Sequence, residues 1–128
     1  MKKIYVAIPY SGIEEKSYKI ANQMSYDIIA LGYIPFSPIS MSHPIVEQSK
    51  IDHKDDNVLL GDWETWAKID YAFIDWCDEI WVIQISEELV KKSTGVQAEL
   101  EYAKLKNKKI KIINYDEYKK ATQKEKHV

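Results

Sequence analysis

The sequence predicts an α/β protein whose parallel sheet is covered by helices on both faces. Residues 4–8 and 79–85 are almost unbroken apolar runs rich in β-branched side chains, and such runs are typical of strands buried on both faces. Segments with apolar residues at helical spacing alternate with these strands, which is the pattern of right-handed strand–helix–strand units. We therefore expect a three-layer, Rossmann-like (flavodoxin-like) fold with a parallel sheet of four to five strands.

The first half of the chain supplies two strands and one helix. The strand of residues 4–8 is followed by a turn, and apolar residues at helical spacing predict a helix over residues 14–31, which Gly32 ends. Residues 33–36 form a short strand. Residues 38–61 contain two prolines and a polar run, so we expect an irregular loop, and its length indicates either a functional role or mobility.

The second half continues the alternation. Asp62 is suited to cap a helix over residues 63–77, and the buried strand of residues 79–85 follows that helix. A loop is expected over residues 86–93. A further helix is expected over residues 94–106, where apolar residues share one face.

The C-terminal part of the chain completes the sheet. Residues 109–113 alternate between polar and apolar side chains, as in a strand with one partly exposed face. Residues 114–128 form a C-terminal extension that starts as a short helix and is partly flexible at its Lys-rich end. No change of composition marks a boundary, so we expect residues 1–128 to be one domain.

Composition and charge exclude several classes of protein. The 128 residues are 45% hydrophobic and 30% charged, with a formal net charge of −2. A non-specific nucleic-acid binder needs a clustered cationic surface, whereas a small anionic ligand needs only a few backbone N–H groups. The apolar run of residues 4–9 is too short for a signal peptide, and no stretch reaches membrane-spanning length. We therefore expect a cytoplasmic protein without nucleic-acid or membrane partners.

Residue types that bind metals are sparse. Cys77 is the only cysteine, so no internal disulfide can form, and its apolar neighbours favour a buried thiol over a catalytic one. The histidines His43, His53 and His127 have no metal-binding spacing. We expect neither a metal nor a cofactor.

Two carboxyl residues stand out: Asp70, within an otherwise apolar helix, and Glu99, at the start of the helix after Gly95. Ligands of open parallel sheets bind beyond the carboxyl ends of the strands, where residues 9–12, 37–44 and 86–99 should converge. Asp70 has an ordinary explanation as the solvated flank of an amphipathic helix. Glu99 has an ordinary explanation as well, as an acidic residue in a first helical turn, where the helix dipole favours a negative charge.

Glu99 also has a chemical explanation. The helix N-terminus would hold its carboxylate ionised and competent as a nucleophile, while Gly95 would let a ligand approach the backbone closely. Ser93 and the backbone N–H groups of residues 94–96 would form an anion pocket beside it. A carboxylate next to an anion pocket suits attack on a sugar carbon that lies near a phosphate.

Three blocks of the sequence match the pattern of one enzyme family. The first is YVAIPYSG, a strand that leads into a loop; the second is DYAFIDWCDEIWVI, with Asp70 and Asp78 eight residues apart; the third is STGVQAELEYA, with a Ser/Asp-x-Gly-x-x-x-Glu-x-x-x-Ala pattern. Together they resemble the nucleoside 2-deoxyribosyltransferases and the related 2'-deoxynucleoside 5'-phosphate N-hydrolases. The resemblance covers most of residues 4–113.

That resemblance implies a retaining, two-carboxylate mechanism applied to an N-glycosidic bond. Glu99 would attack C1' of the sugar, and a covalent glycosyl-enzyme would form as the base leaves. Asp70 would donate a proton to the leaving base and then act as general base for the incoming group. Tyr5 would orient Glu99 through a hydrogen bond from its phenol; its ordinary alternative is a core aromatic residue whose hydroxyl is bonded elsewhere.

Ser93 indicates the class of substrate. The transferases resemble one another in carrying Asp here, which contacts the sugar, whereas the hydrolases resemble this chain in carrying a Ser that binds the 5'-phosphate. A hydroxyl donates to a phosphate that a carboxylate would repel, so Ser93 with Gly95 and Val96 favours a nucleoside 5'-monophosphate and water as acceptor. Pro9 stands where the hydrolases tend to carry a serine, and Ser11 is the candidate for that contact.

The segments PFSPISMSHPI and DWETW resemble an uncharacterised branch of this superfamily found in phage and bacterial genomes. Within them, Ser40, Ser42 and His43 either reach the ligand or a neighbouring subunit, or form loop surface. Trp63 and Trp66 either stack on a base or pack in a core or dimer contact. The family's members are typically homo-oligomers, so the resemblance implies a homodimer or a larger homo-oligomer.

Three functions fit these observations. The first is an N-glycosidase that cleaves a (deoxy)nucleoside 5'-monophosphate through a glycosyl-Glu intermediate, the second is base exchange as in a nucleoside 2-deoxyribosyltransferase, and the third is a non-catalytic nucleotide-binding or sensor module. All three have a small-molecule nucleoside or nucleotide as partner. The catalytic candidates are Glu99, Asp70 and Tyr5, and the candidates for substrate binding are Ser93, Gly95, Pro9, Ser11, Gly12, Val96, Ser40 and His43.

Overall fold

The computed structural model describes residues 1–52 and 63–126 of the chain. Within these ranges four strands alternate with six helices, and none of the helices is long and apolar enough to cross a membrane. The elements in chain order are β1 (Lys3–Ala7), α1 (Glu14–Ala30), β2 (Ile34–Phe36), α2 (Pro38–Asp52), α3 (Trp63–Trp76), β3 (Glu79–Gln84), α4 (Glu87–Lys92), α5 (Thr94–Leu105), β4 (Lys109–Asn114) and α6 (Tyr115–Lys126).

The four strands form one parallel sheet in the order β2-β1-β3-β4. Tyr5 of β1 lies opposite Ile80 of β3, and Val6 lies opposite Trp81. The chain first crosses from β1 to β2 on one side and then to β3 on the other. The carboxyl end of β1 is therefore a topological switch point, the usual place for a ligand in such sheets. The predicted three-layer, Rossmann-like fold with a parallel sheet is confirmed.

The side chains of β1 enter two separate cores, one on each face of the sheet. Ile4 and Val6 pack in the core that includes residues of α1 and α6. Tyr5 and Ala7 pack in the opposite core, which includes residues of α3, α4 and α5. All four side chains are fully buried. Strand alternation thus places Tyr5 on the face where α3 and α5 carry Asp70 and Glu99.

The end of α1, the edge strand β4 and the helix α6 all agree with the sequence pattern. Gly32 follows α1 with a φ of +89°, a left-handed conformation that favours glycine and ends the helix. β4 is an edge strand, and most of its side chains are exposed or half-buried. α6 is anchored on α1, because the Tyr115 hydroxyl donates to Oε1 of Gln23 at 3.0 Å and the Tyr118 hydroxyl donates to Asp27.

The predicted irregular loop over residues 38–61 is wrong for residues 38–52, which form α2. Ser37 caps this helix, since its Oγ accepts the backbone N–H of Ser40 at 3.2 Å. Pro38 occupies the first helical position. Pro44 lies inside the helix. The two prolines masked the helix in the sequence, although a proline in the first turn is compatible with one. Residues 53–61 and the predicted cap Asp62 lie outside the described residues.

The predicted loop over residues 86–93 is wrong as well, because residues 87–92 form the short helix α4. The Oγ of Ser86 caps it by accepting the backbone N–H of Leu89 at 3.1 Å. Nζ of Lys92 lies 2.6 Å from Oε1 of Glu88, one turn away. A helix of six residues is too short to show an apolar period in the sequence, so only its cap signalled it.

Candidate active site

A cavity of about 550 Å³ lies at the carboxyl rim of the sheet, where the ligands of such folds bind. The three segments predicted to meet at this rim all contribute to its walls, together with α3. The lining residues are Ile8, Pro9, Tyr10, Ser11, Pro38, Ile39, Ser42, Val46, Trp66, Asp70, Leu89, Lys92, Ser93, Thr94, Gly95, Val96 and Glu99. Apolar side chains form most of the wall, and the two carboxyl groups interrupt it.

Glu99 lines the cavity from α5 and is only 6% exposed. The hydroxyl of Tyr5 donates a hydrogen bond to Oε2 of Glu99. Tyr5 is itself fully buried on β1, so packing holds its ring and its hydroxyl in place. The sequence left open whether the Tyr5 hydroxyl bonds Glu99 or another group, and in the structure it bonds Glu99.

Asp70 lines the same cavity from α3 and is 9% exposed. This position differs from that of a solvated flank of an amphipathic helix. Burial disfavours the charged carboxylate and raises the pKa of Asp70 to about 7. A carboxyl group with such a pKa can keep or release a proton near neutral pH.

The pKa of Glu99 is raised to about 8. Burial is the largest cause, the negative charge of Asp70 adds to it, and the hydrogen bond from Tyr5 acts in the opposite direction. Because the pKa of Glu99 lies above 7 and that of Asp70 lies near 7, the two groups together hold at least about one proton at pH 7. Glu99 and Asp70 are thus two carboxyl groups of one cavity that titrate near neutral pH.

The expectation that a helix N-terminus holds Glu99 ionised is wrong. Glu99 is the sixth residue of α5, and the first turn of that helix carries no acidic residue. The favourable effect of the helix dipole is confined to about the first turn. Burial beside a second carboxyl group outweighs it and pushes the pKa upward.

Ser93 caps the N-terminus of α5 and also lines the cavity. Its Oγ accepts the backbone N–H of Val96 at 3.1 Å, so that N–H is satisfied within the protein. The hydroxyl hydrogen of Ser93 remains a donor toward a ligand, and the first-turn N–H groups of Thr94 and Gly95 have no acceptor within the helix. Lys92 adds a cationic side chain to this wall.

The other predicted substrate-binding residues divide into two groups. Pro9 and Ser11 line the cavity beside the carboxyl end of β1. Gly12, Ser40 and His43 are not among the lining residues: Gly12 adopts a φ of +86° in the turn before α1, and the Oγ of Ser40 donates to Oγ of Ser37 at 2.8 Å. His43 is 5% exposed and lies 2.6 Å from the Tyr10 hydroxyl through Nδ1.

Sequence reasoning missed much of the apolar wall. Ile39 and Val46 face the cavity because α2 is a helix, and Leu89 does so because α4 is one. Trp66, for which stacking on a base and core packing were both open, is half-buried and lines the cavity. The side chain of Trp63 lies outside the described residues. Tyr10, Ile39 and Leu89 had one signal in the sequence, since each belongs to a segment that was predicted to reach the rim.

Within residues 1–52 and 63–126, no group of three His, Cys, Asp or Glu side chains is arranged to hold a metal ion. The titratable groups that the structure brings together at this cavity include the carboxyl groups of Glu99 and Asp70, and the hydroxyl of Tyr5 donates to the first of them.

The chain was compared with protein families and with curated proteins. The family model described as Domain of unknown function (DUF1937) matches residues 2–115. No curated protein matches the chain.

A solved structure of a 2-deoxyribosyltransferase from the psychrotolerant bacterium Bacillus psychrosaccharolyticus is similar to this one, with a TM-score of 0.57. The two sequences are 24% identical over 86% of this chain and 70% of that chain. At this level of identity the likeness shows the fold, an α/β parallel sheet flanked by helices.

Proposed function

The chain belongs to the family described as Domain of unknown function (DUF1937), and we propose that it is an enzyme that cleaves the base–sugar bond of a (deoxy)nucleoside 5'-monophosphate. The observation that carries the proposal is the arrangement of Glu99, Asp70 and Tyr5. Two buried carboxyl groups line one cavity, and the Tyr5 hydroxyl donates to one of them. A retaining glycosidase likewise uses two carboxyl groups in one site, so this arrangement supports the proposal.

In the first step an oxygen of Glu99 attacks C1' of the sugar and forms a glycosyl ester. The C1'–N bond breaks, its electron pair goes to the base nitrogen, and Asp70 donates its proton to the leaving base. This step needs Glu99 ionised and Asp70 protonated, whereas the pKa values of about 8 for Glu99 and about 7 for Asp70 place a shared proton preferentially on Glu99. Substrate binding must therefore move that proton to Asp70 before the attack. The bond from Tyr5 stabilises the charge on Glu99, and the positive charge that develops at C1' in the transition state favours it further.

In the second step a water molecule resolves the glycosyl ester. Asp70, now a carboxylate, takes a proton from the water as the water oxygen attacks C1', and Glu99 leaves as a carboxylate. The products are the free base and the sugar 5-phosphate. Asp70 regains its proton, so the pair returns to its starting state.

The N-terminus of α5 supports a phosphate-bearing substrate. The hydroxyl of Ser93 and the N–H groups of Thr94 and Gly95 are donors at the cavity wall. Lys92 also lines the cavity, with its Nζ 2.6 Å from Oε1 of Glu88. Within the part of the chain that the structure describes, the acidic cavity-lining residues are Asp70 and Glu99 alone. A 5'-phosphate at Ser93 would thus be held on the same wall that carries the nucleophile.

Base exchange between deoxynucleosides is the second candidate. It shares the glycosyl-Glu99 intermediate and differs only in that a second base, rather than water, attacks C1'. The likeness to a solved 2-deoxyribosyltransferase favours it. The Ser at position 93, which suits a phosphate, favours the hydrolase instead.

The proposal is tested by incubating the protein with a panel of nucleosides and nucleoside 5'-monophosphates, with and without an added free base, and measuring released or exchanged base by chromatography. We expect cleavage of a monophosphate without added base, and a loss of roughly 1,000-fold or more in Glu99→Gln. Glu101→Gln, an exposed residue of the same helix, is the matched control and should keep full activity.

Three outcomes would contradict the proposal in different ways. Exchange that requires a second base would establish the transferase alternative. Binding of nucleotides with no base release by the wild type would establish a binding or sensor module. Cleavage that persists in Glu99→Gln would remove the assigned nucleophile.

A further inference from the structure

We propose that Tyr10 contacts the nucleobase and presents a hydrogen-bond acceptor to it, so that the site prefers bases carrying an exocyclic amino group over their oxo counterparts. His43 and Glu15 are positioning residues that fix the direction of the Tyr10 hydroxyl. This inference rests on the proposed function, because it concerns the base end of the same cavity.

A network of three side chains supports the Tyr10 hydroxyl from behind. The hydroxyl lies 2.6 Å from Nδ1 of His43, and Nε2 of His43 lies 3.3 Å from Oε2 of Glu15. The ring of Tyr18 stacks on the imidazole with centroids 4.3 Å apart. His43 is 5% exposed and Tyr18 is half-buried. The imidazole is therefore fixed between α1 and α2, although it does not line the cavity itself.

The network sets the direction of each hydrogen bond. The carboxylate of Glu15 can only accept, so Nε2 of His43 carries the imidazole proton and donates it. In the neutral imidazole Nδ1 is then an acceptor, and the Tyr10 hydroxyl must donate to it. The hydroxyl hydrogen of Tyr10 is thereby occupied. What Tyr10 has left to offer a ligand is the lone pairs of its oxygen.

The neighbouring charges keep Tyr10 in this role. Burial raises the pKa of Tyr10, and the negative charges of Glu14, Glu47 and Glu15 raise it further, so the phenol keeps its proton.

The remaining space in the cavity places the base at Tyr10. The proposed phosphate donors at the N-terminus of α5 and the nucleophile Glu99 occupy one wall. The rest of the cavity is bounded by the loop after β1, by α2 and by Trp66. Its apolar and aromatic surface suits a flat base, which can stack on an indole ring. Tyr10, in that loop, is the residue whose polar group is already oriented.

The inference is tested by measuring dissociation constants in Glu99→Gln protein, in which the substrate is not consumed. The probes are two matched pairs: 2'-deoxycytidine with 2'-deoxyuridine 5'-monophosphate, and 2'-deoxyadenosine with 2'-deoxyinosine 5'-monophosphate. Each pair exchanges an amino group for an oxygen. In the pair that the protein binds, we expect the nucleotide with the amino group to bind roughly 5- to 10-fold more tightly than its oxo counterpart. Adding Tyr10→Phe should bring that ratio close to 1.

Matched controls separate a directed hydrogen bond from a structural role. Tyr18→Phe makes the same chemical change on the other ring that contacts His43, and it should leave the ratio unchanged. Glu15→Ala should lower the ratio, because Nε2 of His43 loses its acceptor, whereas Glu14→Ala, at the adjacent exposed position, should preserve it. Loss of packing alone would weaken both members of a pair equally.

The results also distinguish this inference from the proposed function. If the wild type releases base but Tyr10→Phe leaves the amino-to-oxo ratio unchanged, the role of Tyr10 is refuted and the enzyme assignment stands. If the ratio behaves as expected but no base is released, the enzyme assignment is refuted and the recognition of amino bases stands. Failure of every nucleotide to bind would overturn both.

Discussion

Glu99 and Asp70 each lose most of their water shell in the cavity, and this loss dominates their chemistry. The pKa values of both groups move up toward neutrality, and Tyr5 partly opposes the shift at Glu99. A carboxyl pair that titrates near neutral pH can exchange a proton with a leaving base and recover it from water. At the scale of single residues, burial is thus what makes the two groups useful.

The raised pKa of Glu99 predicts how stability depends on pH. The folded state keeps the Glu99 proton up to a pH of about 8, whereas the unfolded chain releases it near 4.5. The stabilisation is fully present below about 4.5 and is lost as pH rises through about 8, by roughly 2–4 kcal/mol. Glu99→Gln cannot ionise, so it should gain stability relative to the wild type over this window.

Denaturant unfolding between pH 4.5 and pH 8.5 measures this difference. Asp70 contributes a slope of the same sign in both proteins, because burial raises its pKa in each of them. Glu101→Gln, the exposed control, should follow the wild type at every pH. Parallel stability curves for Glu99→Gln and the wild type would show that Glu99 titrates normally.

Tyr5→Phe should lower kcat roughly 10- to 100-fold with little change in KM. The hydrogen bond to a carboxylate is worth about 1.5–3 kcal/mol, and it is needed mainly when Glu99 is charged. Steady-state kinetics on the substrate that the panel identifies would measure it. Tyr102→Phe, whose hydroxyl bonds Asp75 away from the cavity, is the control. A kcat equal to that of the wild type would argue that Tyr5 is only a core aromatic residue.

At the scale of elements, the helices set the cavity more than the strands do. α2 and α4 carry much of the wall, and each begins at a serine whose Oγ accepts a backbone N–H. The wall therefore depends on the helix caps at Ser37 and Ser86. These two helices follow β2 and β3 directly, which is why their first turns lie at the carboxyl rim.

Ser37→Ala should destabilise the protein by about 1 kcal/mol, the usual contribution of an N-cap serine. Because α2 carries Ile39 and Val46, nucleotide affinity should fall together with stability. Thermal unfolding and equilibrium binding measure the two effects. Ser49→Ala, which removes a hydroxyl near the other end of α2, should change affinity much less. Unchanged stability in Ser37→Ala would mean that Ser37 does not cap a helix.

Ser93→Asp separates the cap of α5 from the proposed phosphate site. Asp is as good an N-cap as Ser, so the stability should stay within about 0.5 kcal/mol of the wild type. The KM for a nucleoside 5'-monophosphate should rise roughly tenfold or more through charge repulsion, while that for the nucleoside should not. Ser93→Ala should instead lose about 1 kcal/mol of stability. A monophosphate KM that Ser93→Asp leaves unchanged would place the phosphate elsewhere.

At the scale of the whole molecule, apolar periodicity was enough to predict the sheet and the helices α1, α3 and α5. The runs at residues 4–8 and 79–85 read correctly as buried strands, and the helical spacing of α1 and α5 read correctly as well. Periodicity failed at α2, where Pro44 interrupts the pattern, and at α4, which is too short to show one. The cap residues Ser37 and Ser86 were the signals available for both.

The candidate site was predicted less completely than the fold. Glu99 and Ser93 could be placed at one rim, because the carboxyl ends of parallel strands share an edge, whereas Asp70 was connected with them only through the resemblance. The direction of the Glu99 pKa shift could not be predicted, since it depends on burial beside Asp70 and not on position along a helix. His43 likewise faces Tyr10 rather than the cavity, which only the helical form of α2 determines. The homo-oligomer implied by the resemblance stays a prediction.

Intact-protein mass spectrometry after a rapid acid quench tests the glycosyl-Glu99 intermediate most directly. Wild-type protein mixed with saturating nucleotide should gain the mass of one sugar phosphate, and peptide mapping should place the adduct on Glu99. Glu99→Gln should show no adduct, and Glu101→Gln should show it as the wild type does. Rapid base release without any adduct, or an adduct on a residue other than Glu99, would contradict the mechanism.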